Sequence, residues 1–251
     1  MNPYETDKLL SEYLLFHYGS PEQVVPAGFP EMIQFSTFPV RCVSETLQSD
    51  LVPANARALD IGCAVGRSSF ELSRYCSEVV GVDFSQKFIA AAQSVRETGY
   101  AQFDRIEEGR LATRLQNFLP ADIRRHRVRF LQGDAQCLSP DMGVFDVVLA
   151  ANLIDRIREP LKFLRQLPGL MKPGGQLILT SPYTWLEEFT PATNWLGGFE
   201  QNERPFTTHE RLEAELSDFI LLSRKDLPFL IREHARKYQW CIAEATVWLR
   251  R

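Results

Sequence analysis

Arg57-Ala-Leu-Asp-Ile-Gly-Cys-Ala-Val-Gly-Arg67 decides the fold of this 251-residue chain. Ala58 to Ile61 reads as a buried strand, Gly62 to Gly66 as a glycine turn, and Ser68 to Tyr75 as the helix that follows. A glycine turn between strand and helix lets the backbone approach a ligand closely and aims helix N–H groups at it. The informative residue is Asp60. A turn that cradles phosphates does not set a carboxylate at its mouth, because like charges repel. The spacing here is D-x-G-x-x-x-G, not the G-x-G-x-x-G of dinucleotide binders. An acid at this place suits a ligand that carries positive charge and no phosphate.

The stretch resembles motif I of the class I methyltransferases. That resemblance implies S-adenosylmethionine as cofactor, with its ammonium and sulfonium, and S-adenosylhomocysteine as product. It also implies the fold: a Rossmann-like α/β domain, with a mixed seven-stranded sheet and helices on both faces. Asp60, Gly62, Cys63 and Gly66 are the cofactor candidates of the first turn. Downstream, Glu78-Val-Val-Gly-Val-Asp-Phe84 is a β-branched strand that ends in Asp83, 17 residues after Gly66. An acid there is placed to accept both ribose hydroxyls, and Phe84 to pack on the adenine. Ser85 caps a helix over Gln86 to Thr98, which Gly99 closes. A third strand, Val128 to Leu131, leads to Gly133-Asp-Ala135. In the family an acid at this point takes the adenine amino group, so Asp134 is the candidate, with Ala135 beside it.

The rest of the chain continues the alternation. Phe145 to Asn152 is an unbroken apolar strand of the central parallel kind, and Asn152 falls past its carboxyl end, where open α/β sheets place ligands. Asp155 and Arg156 are read as opening the next helix, which runs toward Leu167. Lys172-Pro-Gly-Gly175 is read as a turn before the fifth strand, and is another mark of the class. Ser181 to Phe199 reads as an aromatic loop in which Tyr183, Trp185 and Glu188 wall a small aromatic or cationic acceptor. A helix over Glu210 to Leu216 precedes two closing strands, Phe219–Phe229 and Trp240–Leu249. The second of these alternates apolar and polar, as an antiparallel strand does.

Two segments exceed this frame. Residues 1–52 read as an N-terminal helical cap on what is otherwise a single methyltransferase domain spanning 1–251. Its first helix, 4–18, sets Leu9, Leu10, Tyr13, Leu14 and His17 on one face behind a Thr6 cap. A second helix is read from Val40 to Leu51, with Arg41 near its start as a carboxylate clamp. Residues 100–127 form an insertion. Tyr100–Ile106 and Arg110–Leu115 alternate around Glu107-Glu-Gly109, which predicts a hairpin that covers the site or makes a homodimer contact.

Composition bounds the function. Net charge is −4, which gives a nucleic-acid role no electrostatic support. Five cysteines without a C-x-x-C argue against a disulfide framework and a zinc site, and for a reducing compartment. The amino-terminal stretch is polar and no apolar run approaches membrane length, so the expectation is a cytoplasmic protein with no membrane partner.

Three stretches sharpen the resemblance: residues 4–19, Phe38-Pro-Val-Arg-Cys-Val-Ser-Glu45, and Leu230-Ile-Arg-Glu-His-Ala-Arg-Lys-Tyr-Gln-Trp240. They are similar to the 4-mercaptohistidine (5-thiohistidine) N-methyltransferases of ovothiol biosynthesis. This family implies methylation of an imidazole nitrogen of thiohistidine to give ovothiol A. Arg41, Tyr13, Asn152, Tyr183 and Trp185 are the substrate-side candidates. No catalytic base is expected, because much of an imidazole is already unprotonated at neutral pH, and no metal ligand is expected, because the sequence has no C-x-x-C and no iron-binding histidine cluster. Other acceptors, such as histidine or an amine, and a non-catalytic partner role are the competing expectations.

Overall fold

The computed structural model describes residues 3–251, so the first two residues of the 1–52 cap lie outside the described residues. In chain order the helices are α1 (Asp7–Tyr18), α2 (Pro21–Val24), α3 (Phe38–Ser44), α4 (Arg67–Leu72), α5 (Gln86–Thr98), α6 (Pro160–Leu170) and α7 (Thr208–Glu215). The strands are β1 (Arg57–Ile61), β2 (Glu78–Asp83), β3 (Tyr100–Glu108), β4 (Leu111–Phe118), β5 (Val128–Gln132), β6 (Phe145–Ala151), β7 (Met171–Ser181), β8 (Phe199–Gln201), β9 (Arg204–Phe206), β10 (Phe219–His234) and β11 (Lys237–Arg250).

Seven strands form one mixed sheet in the order β10-β11-β7-β6-β1-β2-β5. The pairs β7–β6–β1–β2–β5 are parallel, and β11 and β10 close the edge antiparallel. The middle strands are buried on both faces, as continuous Val/Leu/Ala runs require. One apolar layer joins the sheet to α1, α3, α4 and α5, and the other joins it to α6 and α7. The chain winds outward from β1 through β2 to β5, then returns to β6 on the other side of β1. That reversal opens a crevice at the carboxyl ends of β1 and β6.

Close packing explains two glycines. A Cβ on Gly81, in the middle of β2, would lie 2.6 Å from Phe130 and 2.9 Å from Ser69 Oγ. Gly66 combines a left-handed φ of +88° with a Cβ position 2.5 Å from Phe130 Cζ. Only a residue without a side chain lets α4 settle this close to β2 and β5.

Several elements differ in extent from the sequence reading. The helix read over Val40–Leu51 is α3 plus a separate 3₁₀ turn at Ser49–Leu51. It stops because Gln48 makes a reciprocal amide pair with Gln176 of β7: its N–H donates to Oε1 at 3.0 Å and its carbonyl accepts from Nε2 at 2.9 Å. Asp155 and Arg156 do not open α6, which begins at Pro160. Asp155 instead accepts from the Thr184 N–H at 3.0 Å, which holds the connection in a turn. Lys172-Pro-Gly-Gly175 lies inside β7, where the pairing jumps from Phe145–Met171 to Val147–Gln176. The aromatic loop runs at Phe199 into the β8–β9 hairpin, whose turn residues Asn202 and Glu203 both have positive φ.

The 100–127 insertion contains the β3–β4 hairpin, which pairs from Tyr100–Phe118 up to Glu108–Leu111. It packs on α1 and on the tip of the β10–β11 ribbon. Buried Arg232 of β10 places Nη2 2.6 Å from Glu107 Oε2 of β3, and the Ala235 N–H donates to the Glu107 carbonyl. α1 is fastened at its other end, where the Tyr18 hydroxyl donates to the Val65 carbonyl in the glycine turn.

Candidate active site

A cavity of about 820 Å³ fills the crevice. Its floor is made of strand ends: Asp60 in β1 with Gly62 and Cys63 after it, Asp83 closing β2 with Phe84 after it, Asp134 and Ala135 after β5, and Asn152 after β6. Its roof is made of segments outside the core: Leu9, Glu12, Tyr13, Phe16 and His17 of α1, Phe38 and Pro39 of α3, and Phe229, Ile231, Gln239 and Cys241 of the β10–β11 ribbon. Thr184, Glu188 and Phe189 complete the wall.

Asp60 is buried, and its Oδ2 accepts from Ser69 Oγ at 2.6 Å. Burial is the main reason its carboxyl is pushed up to about 7, with the nearby Asp83 charge adding to the effect. A carboxyl held this way gains most from a cation brought beside it. Asp83 Oδ2 accepts from the Ala64 N–H at 2.9 Å and Oδ1 from the Ser85 N–H at 2.8 Å. Each oxygen keeps a further lone pair, so the carboxylate is oriented and still able to receive a diol. Phe84 is 64 % exposed on the cavity wall, an aromatic face offered to a planar ring. Asp134 Oδ1 accepts from the Gln136 N–H at 2.8 Å and from its side-chain amide at 3.1 Å, an Asx turn that presents the acid at the cavity edge. Gly66 does not line the cavity; it caps α4 behind the turn. These groups fit S-adenosylmethionine: an acid for its cationic end, an oriented carboxylate for its ribose and an open aromatic for its base.

The substrate-side candidates divide. Tyr13 and Asn152 line the cavity. Tyr13 packs on Phe88 with ring centroids 4.7 Å apart, and Asn152 takes a left-handed φ of +50° with its Oδ1 accepting from Thr180 Oγ1 at 2.9 Å. Arg41 is a correction. It does not line the cavity, and its guanidinium donates to Glu45 at 2.5 Å and to the Pro228 carbonyl at 2.7 Å, tying α3 to β10. Tyr183 and Trp185 are placed elsewhere too. The Tyr183 hydroxyl donates to Glu244 of β11 at 2.7 Å and the Trp185 indole to Thr208 Oγ1 at 3.0 Å. Both line a separate groove of about 460 Å³ with Phe199 and Phe206. The chain turns away after β7, and Thr184 and Phe189 reach the cavity in their place.

The sequence reading missed Glu12, Phe16, Phe38, Arg156, Phe229 and Gln239 as cavity residues. Periodicity on α1 was the one available signal, since Glu12, Tyr13, Phe16 and His17 follow the spacing of one helix face. Desolvation holds the His17 imidazole down to about 3, aided by the Arg67 charge, so it is a neutral wall residue. No group of three or more His, Cys, Asp or Glu side chains able to hold a metal occurs among the described residues. Among the same residues no helix is long and apolar enough to cross a membrane.

Comparison with known proteins bears on the fold. Residues 59–179 match the family described as "Methyltransferase domain". The curated relatives include ubiquinone biosynthesis O-methyltransferases. The one from Xanthomonas axonopodis pv. citri is 27% identical over 57% of this chain and 49% of its own length. The one from Azorhizobium caulinodans is 29% identical over 64% of this chain and 56% of its own length. The chain thus spans about half the length of the curated relatives it matches. Among solved structures the [4+2]-cyclase SpnF aligns with a TM-score of 0.55 at 18% identity, covering 96% of this chain and 93% of SpnF. The YcgJ protein of Bacillus subtilis aligns at 0.50 and 19% identity, covering 79% of this chain and 93% of YcgJ.

The fold is the Rossmann-like methyltransferase fold, residues 59–179 carry the match to a methyltransferase domain, and the D-x-G-x-x-x-G turn and Asp83 are the candidates for a cofactor frame on its floor. The family match stops at residue 179 and leaves out α1, α3 and the β10–β11 ribbon, which form the roof.

Proposed function

We propose that this chain transfers the methyl group of S-adenosylmethionine to a ring nitrogen of 5-thiohistidine (4-mercaptohistidine), giving ovothiol A. One observation carries the reading. The three stretches that resemble thiohistidine N-methyltransferases, 4–19, 38–45 and 230–240, are far apart in sequence, yet each contributes residues to the roof of one cavity. Glu12, Tyr13 and Phe16 come from the first, Phe38 from the second, Ile231 and Gln239 from the third. The segments that distinguish the chain from a generic methyltransferase are therefore the segments that would touch the acceptor.

Methyl transfer from a sulfonium is a direct displacement: the nitrogen lone pair forms the new N–CH₃ bond as the S–CH₃ bond breaks and the electron pair stays on sulfur. The protein has to hold the nitrogen in line and leave its lone pair free. Orientation of that kind supplies up to roughly 7–11 kcal/mol of the barrier. Phe16, Phe38 and Phe229 form a packed aromatic wall, with Phe38 and Phe229 centroids 4.4 Å apart, suited to fixing a flat ring. An imidazole with a reference pKa near 6.5 requires no strong base, in keeping with neutral His17 and an absence of any paired acid and base in the proposed roles. Arg156 and Arg158 are the Lys/Arg side chains on the cavity wall and replace Arg41 as partners for an acceptor carboxylate.

The test is a mass-spectrometric methyl-transfer assay offering thiohistidine, histidine and a catechol, the last because the curated relatives are O-methyltransferases. One methyl gained by thiohistidine alone, placed on ring nitrogen by NMR, is the expected result. Transfer only to histidine or to the catechol oxygen discards the substrate and keeps the enzyme. Cofactor binding with no transfer to any acceptor moves the balance to a non-catalytic partner.

A further inference from the structure

Glu12 is the one acid contributed by the roof helix to the cavity among the described lining residues. Its side chain is 13% exposed, and Oε1 is shut off from solvent without a hydrogen-bond partner. Its ion-pair partner is Lys8 Nζ at 3.7 Å, an i,i+4 contact on the same helix whose cation is 74% exposed and therefore offsets little of the burial. A desolvated carboxylate in such a position is costly unless a cation meets it. The neighbouring charges on the ribbon do not meet it. Lys237 is paired with Glu233 at 2.7 Å, and the Gln239 amide donates to Glu233 Oε1 at 2.7 Å. Arg156 is held by Asp155 Oδ2 at 3.1 Å and the Thr184 carbonyl at 2.8 Å. His17, one turn further along α1, is neutral.

We propose that Glu12 recognises a cationic amine on the methyl acceptor, such as the α-ammonium of an amino acid, and so sets acceptor specificity. This rests on the reading of the cavity as a small-molecule acceptor site. Two features agree with it. Phe16 follows Glu12 by one helical turn, so ring wall and carboxylate share one face of α1 and both line the cavity. Burial raises the Glu12 carboxyl above its ordinary value against the opposing pull of Lys8, with Glu233 adding to the rise, and an arriving ammonium would reverse it.

The experiment compares kcat/KM for two acceptor pairs that differ only in the amine: thiohistidine against its des-amino analogue, and histidine against imidazolepropionate. Wild type, E12Q and E12D are measured with saturating S-adenosylmethionine, and S-adenosylhomocysteine affinity by calorimetry confirms that each variant keeps its fold. Wild type should prefer the amine-bearing member, and E12Q should shrink that preference about tenfold or more, the size of a charge-assisted hydrogen bond. E12D should recover part of it. An equal preference in wild type and E12Q overturns the proposal, as does a wild type with no preference. If histidine rather than thiohistidine proves the acceptor, and E12Q still erases the amine preference, the thiohistidine reading falls and the role of Glu12 stands. A wild type that methylates neither amine overturns both.

Discussion

Asp83, which ends β2, accepts a hydrogen bond through Oδ2 from the Ala64 N–H at 2.9 Å, inside the turn that follows β1. Two neighbouring strand ends are thereby locked into one surface before any cofactor arrives. Asp83→Ala removes both this lock and the ribose acceptor. At roughly 1.5–3 kcal/mol for each charge-assisted hydrogen bond, S-adenosylhomocysteine affinity should fall by tenfold to several hundredfold. Calorimetry reads it directly, and unchanged affinity removes Asp83 from the cofactor site.

Gly66→Ala should be among the most damaging single changes. The new methyl would sit 2.5 Å from Phe130 Cζ at a φ of +88°. Backbone strain alone costs of order 1–3 kcal/mol. Combining it with Phe130→Leu relieves the clash but not the φ, so only part of the loss should return. A thermal melt of the double variant that matches wild type would show that the backbone conformation is unimportant.

The raised carboxyl of Asp60 has a definite pH signature. Its folded value of about 7 lies above the ordinary unfolded value near 3.9. The unliganded fold therefore holds this proton more tightly than the unfolded chain. The stability it contributes is fully present below about pH 4 and is lost as pH rises through about 7. Cofactor binding should run the other way: affinity for S-adenosylmethionine rises as pH climbs toward about 7, and binding just below that pH releases a proton. Calorimetry in two buffers of different ionisation heat counts that proton. Asp60→Asn should flatten the profile, and a profile that persists in this variant belongs to another group.

The Glu107–Arg232 contact fixes the ribbon tip over the cavity. Glu107 is 27% exposed, so screening limits its worth, but its loss leaves Arg232, 7% exposed, without its carboxylate. Glu107→Ala should lower stability by about 1–2 kcal/mol, a few degrees of melting temperature in a chain of this size. Because β10 and β11 supply Phe229, Ile231 and Gln239 to the roof, acceptor KM should rise severalfold while S-adenosylhomocysteine affinity holds. Equal loss of both would place the hairpin under the whole site rather than the roof alone.

The sequence by itself determined the strand–turn–helix frame around β1 and β2. Strand β1, the Gly62–Gly66 turn and Asp83 are written in local patterns, namely apolar runs, glycines where φ must be positive and acids at strand ends, and each acts within a few residues of itself. The seven-stranded mixed sheet, which the family resemblance implies, is the one observed. Only the tertiary structure decided what faces the acceptor. Arg41, Tyr183 and Trp185 have side chains suited to a small polar substrate, yet the Pro228 carbonyl (beside the local Glu45), Glu244 and Thr208 claim them from elsewhere in the chain. Glu12, Phe38 and Gln239 look unremarkable in sequence and meet because α1, α3 and the β10–β11 ribbon bury their apolar faces against one side of the sheet. Periodicity tells a helix which face to bury. It does not tell it which other segments will be there, because that depends on contacts made across more than two hundred residues of chain.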